Sequence, residues 1–418
     1  MRHPPESGPP SGRVLIPGKL TQVSDAVAMD AQAVAENVLD GAEGYGQQEL
    51  LTEIRSSFAL IEPHAPEASA YFYEHFFALN PRYRKLFTGD PVAQQRRLFQ
   101  AVARIIADFD DLDDFLPFLR RLALRHRKFG LRPAHYEAFS ESMLATIEAF
   151  TGPAWTELTR QAWEVGFGLV ASVMQETAAE AEAEAPPYWE AEVVAHELLA
   201  EDVARIEVRV LQDPDRPGPY RYHAGQYASL EAANSPRVWR DFSFASMDTN
   251  ENRIVFHIQA GHSGGVSHLL VRETSEGDRL RVAGAEGELA FAPEARTLVA
   301  VAHGTGAAPV SGLVEQLIAE GDRRPLCVLL VTPDHGPGSP AEHYLAKHFE
   351  EQAGRHGALE LYVVGESSLA RTARAVLVTE KPWQSAVLVG PSVLIDHCRA
   401  ELLAAGTPAD AIATDQFD

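Results

Sequence analysis

The stretch LVAVAHGTGAAP at residues 298–309 decides the fold of the second half of this 418-residue chain. An apolar run from Leu298 to Val301 leads into Gly304-Thr305-Gly306, and a helical pattern follows. Glycines at such a place let the backbone approach a pyrophosphate at a helix N-terminus, although ordinary tight turns share this composition. Further apolar runs alternate with helical segments downstream, at 326–331, 359–364 and 385–389. This region therefore predicts βαβ units and a parallel sheet.

The segment between Pro187 and about residue 293 has a different texture. Short β-rich runs are separated by turn signals, at 204–211, 227–230, 253–259 and 280–282. This spacing predicts an antiparallel barrel. The tetrapeptide Arg240-Asp241-Phe242-Ser243 lies here, and alone it is typical of a half-exposed strand that ends in a turn.

The first half of the chain has helical periodicity. From Glu49 to Glu180 apolar residues recur three and four positions apart, with no strand-like alternation. The Ala/Glu run at 179–185 extends the last helix, and Pro186-Pro187 end it. Residues 1–45, rich in Pro, Gly and Ser at their start, predict a disordered tail with a weak helix near 27–40.

Charge and composition exclude several classes of protein. The net charge of −23 argues against binding to nucleic acid and to an anionic membrane face. No stretch approaches the roughly 20 apolar residues of a membrane span, and no secretory signal is recognisable. Only two cysteines, Cys327 and Cys398, are present, which favours a reducing compartment. We expect a cytoplasmic protein.

The motifs of the second half form an ordered set. They are Gly225-Gln226-Tyr227, Arg240-Asp241-Phe242-Ser243, Gly264-Gly265-Val266-Ser267, Gly304-Thr305-Gly306-Ala307-Ala308-Pro309, Gly390-Pro391 and Phe417. In this order they resemble the ferredoxin-reductase-like flavoprotein module, which binds FAD on a β-barrel and NAD(P)H on an α/β domain. The resemblance implies that FAD is held by Tyr227, Arg240, Phe242, Ser243, Gly264 and Ser267. It implies that the nicotinamide nucleotide meets Gly304, Thr305, Gly306, Gly390 and Pro391, and that Phe417 covers the flavin ring.

The spacing of particular residues in the helical half resembles that of a globin. These residues are Tyr73, Phe87, Gln94, Leu98, His126 and Tyr136. The resemblance implies that His126 ligates the iron of haem b and that Phe87 packs on the haem. Tyr73 and Gln94 would donate hydrogen bonds to a distal ligand, Leu98 would shape the pocket, and Tyr136 would orient the proximal histidine. Without this pattern, His126 would be a surface histidine and Tyr73 a core aromatic.

The whole arrangement resembles the flavohemoglobins, with departures at five positions. Phe242 replaces the usual tyrosine, His303 replaces a glycine, Val389 replaces a cysteine, and Asp415 replaces a glutamate. A further glutamate, expected to pair with the proximal tyrosine, falls near Ala178, between Glu176 and Glu180. We expect slower hydride transfer from the loss of the thiol and a less electron-rich iron from the loss of the glutamate.

The predicted protein is therefore multidomain. A disordered tail at 1–45 precedes an all-α globin at 46–185, an antiparallel FAD-binding β-barrel at 186–293 and a parallel-sheet α/β nicotinamide-nucleotide domain at 294–418. The resemblance implies that electrons pass from NAD(P)H through FAD to haem b, and that dioxygen then converts nitric oxide to nitrate. Two alternatives stay open: a divergent haem–flavin oxidoreductase with another substrate, and an oxygen- or redox-sensing globin with an inactive reductase module. The sequence names no partner for the tail.

Overall fold

A computed structural model describes residues 45–87, 91–109, 112–212, 219–248, 251–261, 265–333, 343–378 and 384–417. The predicted tail and its weak helix lie outside these residues, apart from Tyr45. The chain divides into two compact units between Ala183 and Glu184. The first unit is all-helical, and the second holds the antiparallel barrel and the parallel sheet.

Helices build the whole described part of the first unit. They are α1 (Gln47–Ile61), α2 (Ala65–Leu79), α3 (Pro91–Asp108), α4 (Leu112–Arg127), α5 (Pro133–Thr151) and α6 (Glu157–Glu184), with short 3₁₀ turns at Glu62–His64, Pro81–Leu86 and Gly152–Ala154. Helix α6 ends at the Ala/Glu run, as predicted, since Pro186 cannot continue it.

The core of the helical unit comes from apolar residues spaced at helical intervals. Leu50, Ile54 and Phe58 recur four apart on α1 and are all buried. They pack with Trp163 of α6, whose Nε1–H donates to Ser57 Oγ at 2.9 Å, so the one polar atom of the indole is satisfied inside the core. Burial on this scale stabilises the unit by about 1.5–3 kcal/mol per large side chain.

The barrel of the second unit is a six-stranded antiparallel sheet. Its strands are β1 (Tyr188–Leu198), β2 (Val203–Val210), β3 (Tyr227–Ala232), β4 (Trp239–Ser243), β5 (Arg253–Gln259) and β6 (Arg279–Ala283), in the order β4-β3-β6-β1-β2-β5. An antiparallel bridge between Phe244 and Phe256 brings the two edges together. On β5 buried residues alternate with accessible ones, as expected for a wall with one face to the core. Helix α7 (Val266–Arg272) follows β5.

The parallel sheet follows in the same unit. Its strands are β7 (Leu298–His303), β8 (Leu326–Thr332), β9 (Leu359–Gly365), β10 (Ser385–Gly390) and β11 (Ile412–Gln416), in the order β11-β10-β7-β8-β9. The intervening helices are α8 (Ala307–Glu320), α9 (Ala346–His356), α10 (Glu366–Val378) and α11 (Ser392–Ala404). Strand β8 is buried at every position because helices cover both faces of the sheet. The order reverses between β7 and β10, and in sheets of this type the ligand crevice lies outside the carboxyl ends at such a reversal.

Two features are absent from the described residues. None of the helices there combines the length with the apolar character that crossing a bilayer needs. In the same ranges no three His, Cys, Asp or Glu side chains are grouped so that they could hold a metal ion. A haem iron with one histidine ligand does not need such a group.

Candidate functional site

His126 lies in the last turn of α4, and its two ring nitrogens have different surroundings. Nδ1 donates to the Leu122 carbonyl, one turn earlier, at 2.7 Å. A carbonyl only accepts, so the proton of the neutral ring is on Nδ1 and the lone pair is on Nε2. Nε2 has no hydrogen-bond partner among the described residues. Burial lowers the pKa of His126, and the Leu122 bond only partly opposes this, so the ring is neutral at pH 7.

Tyr73 lies on α2 within a cluster of aromatic rings. Phe87 meets it edge to face at 5.6 Å between ring centroids, and Phe77 lies 5.8 Å away. Phe87 also contacts Phe76 and Phe77, so four rings fix one another's positions. Burial raises the pKa of Tyr73 to about 12, against a smaller opposing effect of Arg97. The hydroxyl therefore keeps its proton and is a hydrogen-bond donor at physiological pH.

Leu98 of α3 joins this aromatic cluster and also faces a small internal cavity. The cavity, of about 20 Å³, is lined almost entirely by apolar side chains of α1, α2, α3, α5 and α6. Its two hydroxyls are occupied by backbone carbonyls, since Ser69 donates to Gln95 and Thr146 to Ser142. An apolar space without open polar groups stays dry. Gln94 stands one turn before Leu98 and is partly exposed.

Tyr136, at the start of α5, lines a surface recess of about 280 Å³ between α5 and α6. Its hydroxyl makes no hydrogen bond within the described ranges. Gln175 lines the same recess from α6, whereas Glu176 and Glu180 are exposed, and Ala178 carries no polar group. Glu164 of α6 lines the recess as well, and its carboxylate is paired with Arg160. Sequence spacing alone did not select Gln175.

The globin residues thus fall into three places. Tyr73, Phe87 and Leu98 share one apolar cluster. His126 is on α4, and Tyr136 is in the recess. Neither a hydrogen bond nor a ring contact joins His126 to Tyr73 or to Tyr136 in the part of the chain that the structure describes.

Strands β3 and β4 carry four of the residues that sequence assigned to flavin. Tyr227 and Ser243 are cross-strand partners and share one face. Arg240 and Phe242 stand two apart on β4 and share the other face, since side chains alternate along a strand. The Arg240 guanidinium is exposed and donates only to the adjacent Trp239 carbonyl, at 2.9 Å. Within the described ranges it forms no ion pair, so its charge is available to an anion.

Ser243 connects the barrel to the carboxyl edge of the parallel sheet. Its Oγ lies 3.4 Å from Asp415 Oδ2 of β11. Burial raises the pKa of Asp415, nearby Asp241 adds to this, and the Ser243 bond opposes it. Two residues further, the Phe417 N–H donates to the Gly390 carbonyl at 3.2 Å. The structure therefore brings Ser243, Asp415, Phe417 and Gly390 to one place.

Ser267 lies in the first turn of α7. Its Oγ accepts the Gly261 N–H at 3.1 Å, which ties the start of this helix to the end of β5. Gly264, which the sequence assigned to the FAD phosphates, lies outside the described residues.

The turn after β7 is closely packed. A Cβ on Gly306 would lie 2.9 Å from the Val389 carbonyl oxygen and 3.1 Å from Phe417 Cε1, so only glycine fits there. Gly304 has a φ of +52°, which also favours glycine. Thr305 lies between them and is partly exposed, and Pro391 caps α11 with its carbonyl. The two motifs predicted to meet the nicotinamide nucleotide, and Phe417, predicted to cover the flavin ring, thus lie together at the reversal of strand order.

Two interactions around this turn were not apparent from sequence. Buried His343 donates from Nε2 to the Gly304 carbonyl at 3.0 Å, while its Nδ1 accepts the Leu345 N–H at 3.1 Å. His303 donates from Nε2 to Glu366 Oε1 at 2.7 Å. The presence of His303 where the family has a glycine was the only sequence feature that pointed to the hydrogen bond with Glu366. No local pattern singled out His343, because its partner lies 39 residues away in sequence.

Comparisons with known proteins agree with this architecture. The globin family model matches residues 70–174. The model described as an oxidoreductase FAD-binding domain matches residues 190–291. The two matches cover the helical unit and the barrel, in the order in which the structure has them.

Similar proteins extend across most of the chain. A flavohemoprotein of Chromobacterium violaceum is 26% identical over 346 residues, which cover 77% of this chain and 82% of the relative. A flavohemoprotein of Bacillus subtilis is 22% identical over 318 residues, 73% of this chain and 77% of the relative. A crystal structure of a flavohemoglobin from Malassezia yamatoensis, with bound FAD and heme, has a TM-score of 0.71 at 18% identity and covers 88% of this chain and 99% of that one. Together these matches support the flavohemoglobin family for this chain, with haem and FAD as its cofactors and NAD(P)H as a substrate.

Proposed function

We propose that this haem–flavin oxidoreductase oxidises nitric oxide to nitrate with dioxygen, using electrons from NAD(P)H. The observation that carries the proposal is the state of His126, a neutral ring with Nδ1 held by Leu122 and Nε2 left open. When bound, NAD(P)H supplies a hydride, FAD divides it into single electrons, and haem iron supplies the site for dioxygen and nitric oxide.

His126 is the proposed iron ligand. The bond from Nδ1 to Leu122 fixes both the tautomer and the orientation of the ring, as second-shell partners of ligating histidines do. Since burial keeps the ring neutral, ligation needs no deprotonation at pH 7. A buried, neutral histidine with a free lone pair on Nε2 fits the role of a haem ligand.

Tyr73 is the proposed distal donor. Its protonated hydroxyl would donate to a ligand that takes up negative charge, and Phe87 holds the ring that carries it. Leu98 and the apolar cavity next to it exclude water from this side. Gln94, which is one helical turn from Leu98, is the proposed second donor. We propose Tyr136 as the residue that orients the proximal side, from a recess whose α6 wall includes Gln175 and Glu164.

The residues on β3 and β4 fit FAD. Arg240 offers an exposed charge without an ion-pair partner in the described ranges, which suits a diphosphate. Phe242 offers an apolar ring, and Ser243 a hydroxyl that is shared with Asp415. Tyr227 is fixed by Gly287, where a Cβ would lie 2.9 Å from its ring. Ser267 keeps the α7 end of this site in place, and Gly264 stays a proposed phosphate contact.

The turn at Gly304, Thr305 and Gly306 fits a nicotinamide nucleotide. Its glycines leave backbone N–H groups open to a diphosphate at the start of α8. Gly390, Pro391 and Phe417 close the other side of the crevice. Phe417 packs on Gly306 and is partly exposed, so it is placed to move when a ring enters. We propose domain limits of 46–185, 186–293 and 294–418 for the three modules.

The test is nitric oxide consumption by the purified protein in aerated buffer with NADH, followed with an electrode. We expect rapid consumption that stops when NADH is exhausted, and none in a His126→Ala variant. Oxidation of NADH without consumption of nitric oxide would contradict the proposal and favour a haem–flavin oxidoreductase with another substrate.

A further inference from the structure

His343 connects the glycine turn after β7 to the segment that leads into α9. The side chain is 7% exposed, and both of its ring nitrogens are bonded. Nε2 lies 3.0 Å from the Gly304 carbonyl oxygen, and Nδ1 lies 3.1 Å from the Leu345 backbone nitrogen. Because a carbonyl only accepts and a backbone N–H only donates, the ring is neutral and its proton is on Nε2. His343 therefore acts on Gly304 as a hydrogen-bond donor.

Packing fixes the direction of this donor. The His343 ring stacks on the Tyr344 ring at 4.7 Å between centroids. The Tyr344 hydroxyl lies 3.4 Å from Nδ1 of His257, which is on β5 of the barrel. The ring of His343 is thus held by the Leu345 N–H on one edge and by Tyr344 on one face, and Tyr344 is itself placed by the barrel. A donor fixed in this way orders the group that accepts from it.

The bond to Gly304 sets the orientation of one peptide group in the turn. The Gly304 carbonyl also accepts the Ala307 N–H, so both of its lone pairs are used. In a trans peptide the C=O and the N–H point in opposite directions, and the described residues contain no cis peptide. The Thr305 N–H, which belongs to the same peptide as the Gly304 carbonyl, therefore points away from buried His343. It makes no hydrogen bond within the described ranges, and Thr305 is partly exposed.

This peptide needs an external partner to keep its orientation. Gly304 has a φ of +52°, and glycine adopts positive and negative φ about equally well. Rotation of the peptide would put the Gly304 carbonyl oxygen where the Thr305 N–H now points. An N–H at a helix start attracts a phosphate, whereas a carbonyl oxygen repels it.

We propose that His343 is a positioning residue for the nucleotide: by holding the Gly304 carbonyl, it directs the Thr305 N–H towards the diphosphate. This inference rests on the proposed nicotinamide-nucleotide site. A hydrogen bond to a charged group is stronger than one between neutral groups, so its loss should weaken nucleotide binding by about tenfold or more.

Two substitutions of His343 separate its two hydrogen bonds. His343→Gln places an amide N–H where Nε2 lies and keeps the bond to Gly304, but it loses the acceptor for Leu345. His343→Asn places a carbonyl oxygen where Nδ1 lies and keeps the bond from Leu345, but it loses the donor to Gly304. Each variant removes one buried hydrogen bond, so both should lower the thermal unfolding midpoint of the second unit to a similar extent. Flavin fluorescence measures this midpoint.

The binding experiment uses ADP-ribose, a diphosphate that cannot transfer a hydride. It is titrated calorimetrically into the full chain loaded with haem and FAD. We expect the dissociation constant to rise about tenfold or more in His343→Asn, and to stay within about twofold of the native value in His343→Gln. In stopped-flow reduction of FAD by NADH, His343→Asn should raise the half-saturating NADH concentration and leave the limiting rate unchanged.

His356→Asn is the matched control. The Nδ1 of His356 accepts the N–H of Ala358, two residues later, just as His343 accepts from Leu345. His356 ends α9 and precedes β9, so it lies at the amino edge of the sheet, opposite the glycine turn. This variant should bind ADP-ribose with the native dissociation constant.

Equal weakening of binding in His343→Asn and His343→Gln, or native binding in His343→Asn, would overturn the inference and leave the nucleotide site standing. Failure of the native protein to bind ADP-ribose would overturn the nucleotide site and this inference with it. The expected difference between the two variants, in a protein that does not consume nitric oxide, would support the inference and contradict only the proposed reaction.

Discussion

At the scale of single residues, the one hydrogen bond that the described residues give the His126 ring leaves Nε2 able to bind a metal ion. The Leu122 carbonyl accepts a hydrogen bond from Nδ1–H, which leaves the ring with one free lone pair, on Nε2. His126→Ala removes that lone pair, and we expect haem content to fall to near zero because no other proximal ligand is placed on α4. The measurement is Soret absorbance per polypeptide. His64→Ala, at an exposed position in the same unit, should keep full haem content. Full haem content in the His126→Ala variant would contradict the assignment of His126 as the iron ligand.

Tyr73→Phe tests the distal hydroxyl without changing the aromatic cluster. The ring contacts with Phe77 and Phe87 remain, so the free energy of unfolding should change by less than about 1 kcal/mol. Loss of one hydrogen bond to a charged ligand costs about 1.5–3 kcal/mol, so dioxygen dissociation should accelerate by about tenfold or more. Stopped-flow kinetics measures this rate. Tyr83→Phe, whose ring packs on Phe76, should leave it unchanged. Equal effects of both variants would contradict a distal role.

At the scale of elements, the turn between β7 and α8 depends on the absence of a side chain. A Cβ at Gly306 would meet a backbone oxygen of Val389, which cannot rotate away. Gly306→Ala should therefore lower the unfolding free energy of the second unit by about 1–3 kcal/mol and weaken NADH binding. Flavin fluorescence during thermal unfolding, with a nucleotide titration, measures both effects.

Gly354→Ala is the control for this substitution. Gly354 lies in α9, and a Cβ there would meet nothing within 4 Å. Alanine should raise the unfolding free energy by about 0.5–1 kcal/mol, because glycine loses more backbone freedom in a helix. Destabilisation by both substitutions, or by neither, would show that close packing at Gly306 is not the cause.

The sequence predicted those strands whose own residues form a continuous apolar run. The apolar runs of β7, β8, β9 and β10 were recognised to within two residues at each end. Three of these strands, β7, β8 and β10, are buried on both faces, which gives them continuous apolar runs. Strand β1 was missed, since the charged residues in YWEAEVVAHEL interrupt its apolar pattern. Strand β11, IATDQ, was also missed because edge strands need few apolar residues.

At the scale of the whole molecule, the most informative interactions join residues distant in sequence. Sequence singled out His126, Arg240 and Gly306 as candidates by motif and spacing. It did not predict the hydrogen bond from His343 to the Gly304 carbonyl, the hydrogen bond from His303 to Glu366, or the recess shared by Gln175 and Tyr136. Tertiary packing creates these three arrangements. The five departures from the family pattern were visible in sequence, but the new partner of His303 was not.

The pH dependence of the second unit follows from His343. Burial lowers the pKa of His343 from 6.5 to about 4, although the Gly304 bond opposes this. Between these values the unfolded chain takes up a proton that the folded chain does not, so stability is complete above pH 6.5 and falls as the pH decreases towards 4. The loss approaches about 3 kcal/mol for this residue. Unfolding midpoints at pH 7.5 and pH 5 measure it. His343→Gln should flatten the dependence, and an equal slope in both proteins would contradict this account.

The central claim is a continuous electron path from NAD(P)H through FAD to haem. The direct measurement is the visible absorption spectrum of the purified protein before and after anaerobic addition of NADH. We predict a Soret band with a flavin shoulder, followed by bleaching of the flavin and a shift of the haem bands to the ferrous form. Haem that stays ferric, or a flavin that NADH and NADPH both fail to bleach, would contradict the account and favour a sensing globin.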